Sequence, residues 1–148
     1  AKGDDAEKLR RDIDPSLQSR VHIINRLPRK DALDILASAD IAVSLRVRGL
    51  NAPLKLFDYI GAGFPVVATD VQAHRVVLGS AAEYCEPVAQ DVVRAIERLL
   101  DDDDRYQEIR AQYAEMSDHS LSVDTFGSTV ADVYSQVCDG GPTSSPVV

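Results

Sequence analysis

The stretch Gly49–Asp70, with the sequence GLNAPLKLFDYIGAGFPVVATD, constrains the fold more than any other part of the chain. Its spacing predicts a short amphipathic helix over Leu54–Ile60, with Pro53 at the first helical position, where proline's missing N–H costs nothing. The glycines of Gly61–Gly63 are expected to end that helix by permitting positive φ, and a buried strand is predicted at Pro65–Ala68. A loop, a helix and a return to a parallel strand form the ligand crevices of α/β sheets.

The predicted helix in this stretch also predicts an anion site. Its first turn should present free N–H groups, and Lys55 adds a positive charge beside them. Arg46 and Arg48 could both face the same crevice, and the alternative for them, as for Lys55, is a solvated side chain. The two commonest phosphate loops and the serine-hydrolase elbow are missing from the sequence. The three histidines, His22, His74 and His119, are far apart along the chain, so each is interpreted as structural or solvated. The residues alone therefore indicate an α/β domain with a candidate anion site.

Hydrophobic periodicity alternates between strand and helix along the chain, which predicts a parallel sheet with flanking helices. Strands are predicted at Val21–Ile24, Ile41–Leu45, Pro65–Ala68 and Glu83–Cys85. Helices are predicted at Asp5–Ile13, Asp31–Ala39, Leu54–Ile60, Gln90–Leu100, Arg105–Met116 and Val123–Val137, and a turn or short helix is predicted at Val71–Leu78. We expect residues 1–137 to form one domain and residues 138–148, rich in Gly, Ser and Pro, to be a disordered tail.

Composition narrows the classes of function. The formal net charge is −8, which argues against nucleic-acid binding through a wholly basic surface. The two cysteines have no metal-ligand spacing, so neither a metal site nor a disulfide framework is expected. The sequence has no secretory signal and no apolar run long enough to span a membrane, which predicts a cytoplasmic protein.

The segment LKLFDYIGAGFPVVATD closely resembles the donor-binding segment of GT-B glycosyltransferases of the large retaining family four, the "glycosyl transferases group 1" type. Family members there have approximately Ser-Pro-Leu-Lys-Leu-Phe-Glu-Tyr-Met-Ala-x-Gly-x-Pro-Val-Val-Ala-Ser/Thr-Asp. Upstream, DALDILASADIAVSL is similar to the family's helix and strand, and the resemblance spans about residues 2–137. It implies a Rossmann-like, nucleotide-sugar-binding C-terminal half of a two-domain enzyme.

The resemblance implies a role for each matched residue. Asp58 takes the place of the glutamate that hydrogen-bonds the donor's ribose hydroxyls, and a carboxylate keeps that chemistry. The family's sugar-binding glutamate falls on Leu50, so sugar recognition either differs in this chain or uses Asn51. The catalytic residues remain unknown, and the other substrate-binding candidates are Lys55 and the backbone of Ala52, Pro53 and Leu54 at the diphosphate, and Arg26 and Leu27 at the nucleobase.

The function implied by the resemblance is transfer of a sugar from a nucleoside diphosphate sugar to an acceptor hydroxyl, with no cofactor and no metal. The partners it implies are that donor and a missing N-terminal acceptor-binding domain, without which this chain should transfer no sugar. Peripheral membrane association through that domain and self-association of the fragment stay open. Two alternatives also stay open: a nucleotide-sugar epimerase of the same architecture and a non-catalytic α/β binding domain.

The resemblance further implies that the first strands of the sheet are lacking. In a doubly wound sheet the first two strands lie at the centre, and Val21–Ile24 and Ile41–Leu45 match the third and fourth. Either these two strands close up side by side, or an exposed edge pairs with another chain. We therefore expect the isolated chain to be poorly stable or self-associated.

Overall fold

The computed structural model describes residues 3–24, 26–48, 51–120 and 123–138 of the chain. These residues belong to two compact units, Ala1–Ser38 and Ala39–Val148. The described helices are α1 (Gly3–Asp12), α2 (Arg29–Leu36), α3 (Lys55–Ala62), α4 (Gln72–Leu78), α5 (Ala89–Asp101), α6 (Asp103–Glu115) and α7 (Val123–Cys138). A 3₁₀ turn lies at Pro15–Leu17 and a π-helical turn at Met116–Ser120. Apart from Cys138, the predicted tail lies outside the described residues.

The second unit is built on a parallel sheet of three strands, β1 (Ala42–Ser44), β2 (Val66–Thr69) and β3 (Glu83–Cys85). The strands are in sequence order, with Val43 opposite Val67 and Ala68 opposite Tyr84. Helices connect successive strands, as parallel pairing requires. The predicted α/β class, a Rossmann-like parallel sheet with flanking helices, is confirmed, and so are three of the four predicted strands.

The core of the second unit lies where the helices pack on the sheet. Helix α5 contacts β2 and β3, and α6 contacts both α3 and α5. Every residue of β2 is buried, as expected for the central strand of a sheet covered on both faces. The largest buried apolar side chains, each at most 1% exposed, are Leu56, Ile60, Val66, Val67, Leu78, Leu99, Ile109 and Tyr113.

Helix α3 differs at both ends from its prediction. Leu54 is the N-cap residue and Lys55 begins the helix, so the placement of Pro53 at the first helical position is wrong. The reason is that the chain enters α3 through a tighter turn, in which the N–H groups of Leu56 and Phe57 donate to the carbonyls three residues back, at Pro53 and Leu54, and not four residues back as in an α-helix. Gly61 lies inside the helix, whereas Gly63 ends it with φ of 76°, as predicted for a left-handed C-cap.

The predicted strand at Val21–Ile24 is wrong, because this segment forms no ladder. Its backbone groups have other partners in the first unit: the Val21 N–H donates to the Leu17 carbonyl, and the Arg10 guanidinium donates to the Ile23 carbonyl at 2.9 Å. A β-branched run favours a strand only where a neighbouring strand supplies hydrogen bonds. This segment therefore belongs to no ladder of the described strands.

Strand β1 has one edge that no described strand covers. The Ala42 N–H donates to the Pro65 carbonyl, so the backbone polar groups of Ala42 and Ser44 point towards β2. The carbonyl of Val43 consequently points to the opposite edge.

None of the described helices is long and apolar enough to cross a membrane.

Candidate functional site

The candidate site lies in the second unit, where β1 and β2 end. The carboxyl ends of parallel strands are where α/β sheets bind ligands, because the loops that follow diverge there. Ser44 and Thr69 are the last residues of the two strands. The segment after Ser44 then runs to Leu54 and opens helix α3. Most of the residues predicted to bind the donor lie on this segment or on that helix.

Lys55 is exposed at the start of α3, with its ammonium directed to the uncovered edge of β1. Its Nζ lies 3.5 Å from the Val43 carbonyl oxygen and 5.8 Å from the centre of the Tyr59 ring. Partial removal of the ammonium from water lowers the pKa of Lys55, and the positive charge of Arg46 lowers it further. The two cations are therefore close enough to repel each other.

The N–H groups of the first turn of α3 are less available than the sequence predicts. The Leu56 N–H donates to the Pro53 carbonyl at 3.0 Å, and the Phe57 N–H donates to the Leu54 carbonyl at 3.1 Å. Groups already engaged in this way cannot also bind an anion without breaking those bonds. Any anion bound here would consequently depend more on side-chain cations than on the helix terminus.

Asp58 follows Lys55 by three residues on α3, so the two side chains lie on neighbouring positions of one helix face. Asp58 is half-buried. Burial raises the pKa of Tyr59, and the negative charge of Asp58 adds to that rise. The helix thus presents a cation and a carboxylate together beside the end of β1.

The loop residues predicted at the diphosphate and sugar lie next to this pair. The Asn51 carbonyl accepts a hydrogen bond from the Arg46 guanidinium, which ties the loop before α3 to the end of β1. Ala52 and Pro53 are half-buried, whereas Leu54 is 81% exposed. Leu50, the position of the family's sugar-binding glutamate, lies outside the described residues.

Arg26 and Leu27, predicted at the nucleobase, belong to the first unit. Arg26 has φ of 60°, a left-handed conformation that is uncommon for a residue with a side chain. Backbone strain of this kind occurs preferentially at functional positions. Leu27 is 40% exposed. The other predicted site residues, Asn51 to Asp58, come together in the second unit.

Three residues around the site, Ser44, Thr69 and His74, were not predicted to belong to it, whereas Arg46 was expected either to face the crevice or to be solvated. Ser44, Thr69 and His74 are the buried polar side chains in the described part of the chain, each at most 1% exposed. The sequence signal that could have pointed to them is a hydroxyl side chain, Ser44 or Thr69, at the carboxyl end of each of two successive strands. The described residues contain no group of three or more His, Cys, Asp or Glu side chains that could hold a metal ion.

Comparison with known proteins assigns the chain to a family. The family described as glycosyl transferases group 1 matches residues 1–102. No curated protein was found to match the chain. The family match includes the first unit, the second unit as far as residue 102, all three strands and every predicted binding residue, and it confirms the resemblance found in the sequence. Because it covers more than half of the chain, the protein belongs to the glycosyl transferases group 1 family.

Proposed function

We propose that this chain is the donor-binding part of a glycosyltransferase that moves a sugar from a nucleoside diphosphate sugar to an acceptor hydroxyl. The observation that carries the proposal is the pairing of Lys55 and Asp58 on one face of α3, beside the end of β1. An ammonium suits the diphosphate, and a carboxylate suits the two ribose hydroxyls, which are hydrogen-bond donors.

In this reaction the acceptor oxygen forms a bond to the anomeric carbon, and the bond from that carbon to the diphosphate oxygen breaks. The bonding electrons leave with the diphosphate, and the acceptor hydroxyl loses its proton. Lys55 would stabilise the negative charge that develops on the leaving diphosphate, which is the kind of stabilisation that contributes most to many enzymes. Asp58 would fix the nucleoside and so the position of the reacting bond.

Calorimetric titration of the full-length protein with uridine, guanosine, adenosine, cytidine and thymidine diphosphates tests the proposal. At least one diphosphate should bind more tightly than its nucleoside. Release of that diphosphate from its nucleotide sugar when an acceptor is present, without hydrolysis of the nucleotide sugar by water, would identify a transferase. Binding without release would favour the non-catalytic alternative, and interconversion of the donor sugar would favour the epimerase. No binding of any diphosphate would contradict the proposal.

The role of Asp58 has a separate test. Asp58→Ala should weaken nucleoside diphosphate binding by roughly 1.5–3 kcal/mol, the range for hydrogen bonds to a charged group. The matched ligand is the 2′,3′-dideoxy diphosphate, whose ribose offers no hydroxyls to a carboxylate. Its affinity should change little in the same variant. Equal losses for the two ligands would remove the ribose-binding role from Asp58.

A further inference from the structure

A buried polar cluster lies directly beneath the candidate site. His74, on α4, has Nδ1 2.8 Å from the Thr69 carbonyl oxygen and Nε2 3.0 Å from the Ser44 hydroxyl. A carbonyl oxygen can only accept, so Nδ1 carries the hydrogen and donates it to Thr69. In the neutral ring, Nε2 then accepts from the Ser44 hydroxyl. The imidazole thereby links the carboxyl ends of the two strands.

The hydroxyl of Thr69 holds the backbone of Arg46 at two points. Thr69 Oγ1 accepts a hydrogen bond from the Arg46 N–H at 2.9 Å and donates one to the Arg46 carbonyl at 2.7 Å. We name this pair of bonds the threonine clamp. Arg46 lies two residues beyond the end of β1, where the ladder to β2 has stopped. The clamp therefore continues the connection between the two chain segments after the strands themselves have ended.

The Arg46 side chain has no carboxylate partner among the described residues. Its guanidinium donates to the Asn51 carbonyl, and its positive charge contributes to the lowered pKa of Lys55. A guanidinium has five N–H donors, so the bond to Asn51 leaves others for a ligand. The two like charges are close enough to repel each other, and an anion bound between them would reduce that repulsion.

We propose, on the basis of the function proposed above, that Arg46 binds the donor diphosphate as a second cation beside Lys55, and that Thr69, supported by His74 and Ser44, is its positioning residue. A guanidinium can bind two phosphate oxygens at once, whereas an ammonium acts as a single point charge. Arg46 would thus set the orientation of the diphosphate. The diphosphate would also relieve the repulsion between the two cations.

Titration of the full-length protein tests the role of Arg46. Arg46→Gln should weaken binding of the nucleoside diphosphate by about 10- to 100-fold, and binding of the nucleoside by less than about 2-fold. Arg48→Gln is the matched control, since Arg48 is an exposed arginine on the same segment without the clamp. It removes the same charge and should cost less than about 3-fold.

The positioning role of Thr69 needs a readout that a purely structural role would not give. Thr69→Val removes the hydroxyl at nearly constant volume and should weaken the diphosphate but not the nucleoside. Thr69→Ser keeps the hydroxyl and should restore most of the affinity. The double variant Thr69→Val/Arg46→Gln should bind no more weakly than Arg46→Gln alone, because coupled residues are not additive.

The outcomes separate this inference from the function on which it rests. If the unmodified protein binds no nucleoside diphosphate, the proposed function fails. If it binds one and Arg46→Gln binds it equally well, only the role of Arg46 is overturned. Additive losses in the double variant, or equal losses for nucleoside and diphosphate in Thr69→Val, would overturn the positioning role and leave a structural threonine.

Discussion

Two groups of basic side chains in the second unit are used in opposite ways. Near β3, Arg75 binds Asp70 through hydrogen bonds of 2.7 and 2.8 Å and stacks 3.6 Å from the centre of the Tyr84 ring. Arg98 lies 2.6 Å from Glu83. At the end of β1, Arg46 and Lys55 form no salt bridge among the described residues, and the positive charge of Arg46 contributes to the lowered pKa of Lys55. The first group is held in ion pairs, and the second is not.

The difference shows how a cation is made available to a ligand. A carboxylate beside an arginine fixes the side chain and cancels its charge, so little remains for an incoming anion. The cations at β1 are instead fixed through their backbone or by carbonyl oxygens rather than by salt bridges, which leaves more of their N–H donors for an anion. Proteins commonly give up some stability at binding sites in this way.

The largest expected effect comes from removing the positive charges of each group in a separate double variant and comparing the two proteins. The double variant Arg46→Gln/Lys55→Gln should weaken nucleoside diphosphate binding by about 100-fold or more. The double variant Arg75→Gln/Arg98→Gln removes the same net charge and should change that affinity by less than about 2-fold. Calorimetric titration of both proteins at one salt concentration measures the contrast. Similar losses in both would mean that net charge, not placement, governs binding.

A second experiment tests an arginine whose expected role is to stabilise the fold and not to bind the ligand. Arg105 donates to the Ser80 carbonyl at 2.7 Å and to the Ala82 carbonyl at 3.2 Å, and it pairs with Glu108. Arg105→Met should lower the free energy of unfolding by roughly 1–3 kcal/mol, because those carbonyls lose their donor. Diphosphate affinity should not change.

Arg110→Met is the matched control for Arg105, since Arg110 is an exposed arginine on the same helix. Chemical denaturation should place it within about 0.5 kcal/mol of the unmodified protein. If Arg105→Met were equally harmless, the bonds from Arg105 to the loop before β3 would contribute nothing to stability.

Lys55 should have the reverse effect on stability. Because its pKa is lowered in the folded state, the unfolded chain holds the proton more tightly, and stability rises with pH between the folded and unfolded values. Lys55→Gln should therefore stabilise the protein at pH 7, and the gain should shrink as pH rises towards the unfolded pKa. Thermal melting across that range measures it, and a loss of stability at pH 7 would contradict the repulsion inferred here.

The smallest expected effect concerns the exposed pair of Arg75 and Asp70. The hydrogen bonds from Arg75 lower the pKa of Asp70, so this contribution to stability is present at neutral pH and is lost as pH falls through the folded pKa. Arg75→Gln should remove that acid-dependent part of the unfolding free energy. Acid denaturation of the unmodified protein and of Arg75→Gln measures it. If both proteins unfold at the same acidic pH, the pair does not contribute to stability.

The sequence predicted those parts of the fold that depend on local pattern. Helix α5 and strand β2 follow from apolar spacing, and they lie within a residue of their predicted bounds. The prediction at Val21–Ile24 failed because β propensity describes a residue's fit to a neighbouring strand, and no strand of the described sheet pairs with this segment. The predicted start of α3 failed because the first turn is a tight one, with N–H groups that donate to carbonyls three residues back.

The candidate site was predicted only in part, because some of its contacts depend on the relative positions of elements that are distant in sequence. The role of Asp58 came from the family resemblance, and that of Lys55 came from its place at the start of a helix as well as from the resemblance. Both roles remain predictions, whereas the common helix face of the two residues follows from their spacing. The contact between Thr69 and Arg46 depends on the register of β1 against β2, which no local pattern determines. His74 was interpreted as structural or solvated, and it is indeed buried and hydrogen-bonded; its connection to the site required the positions of three elements.

The threonine clamp also has a consequence for how the protein folds. Its two residues are 23 positions apart, and the intervening chain forms α3 and the whole crossover from β1 to β2. The entropy lost in closing that loop must be compensated by packing before the clamp can persist. The arginine therefore reaches its place only after the crossover unit has assembled, and a folding intermediate that lacks this unit would carry the same charges without the geometry that recognises a ligand.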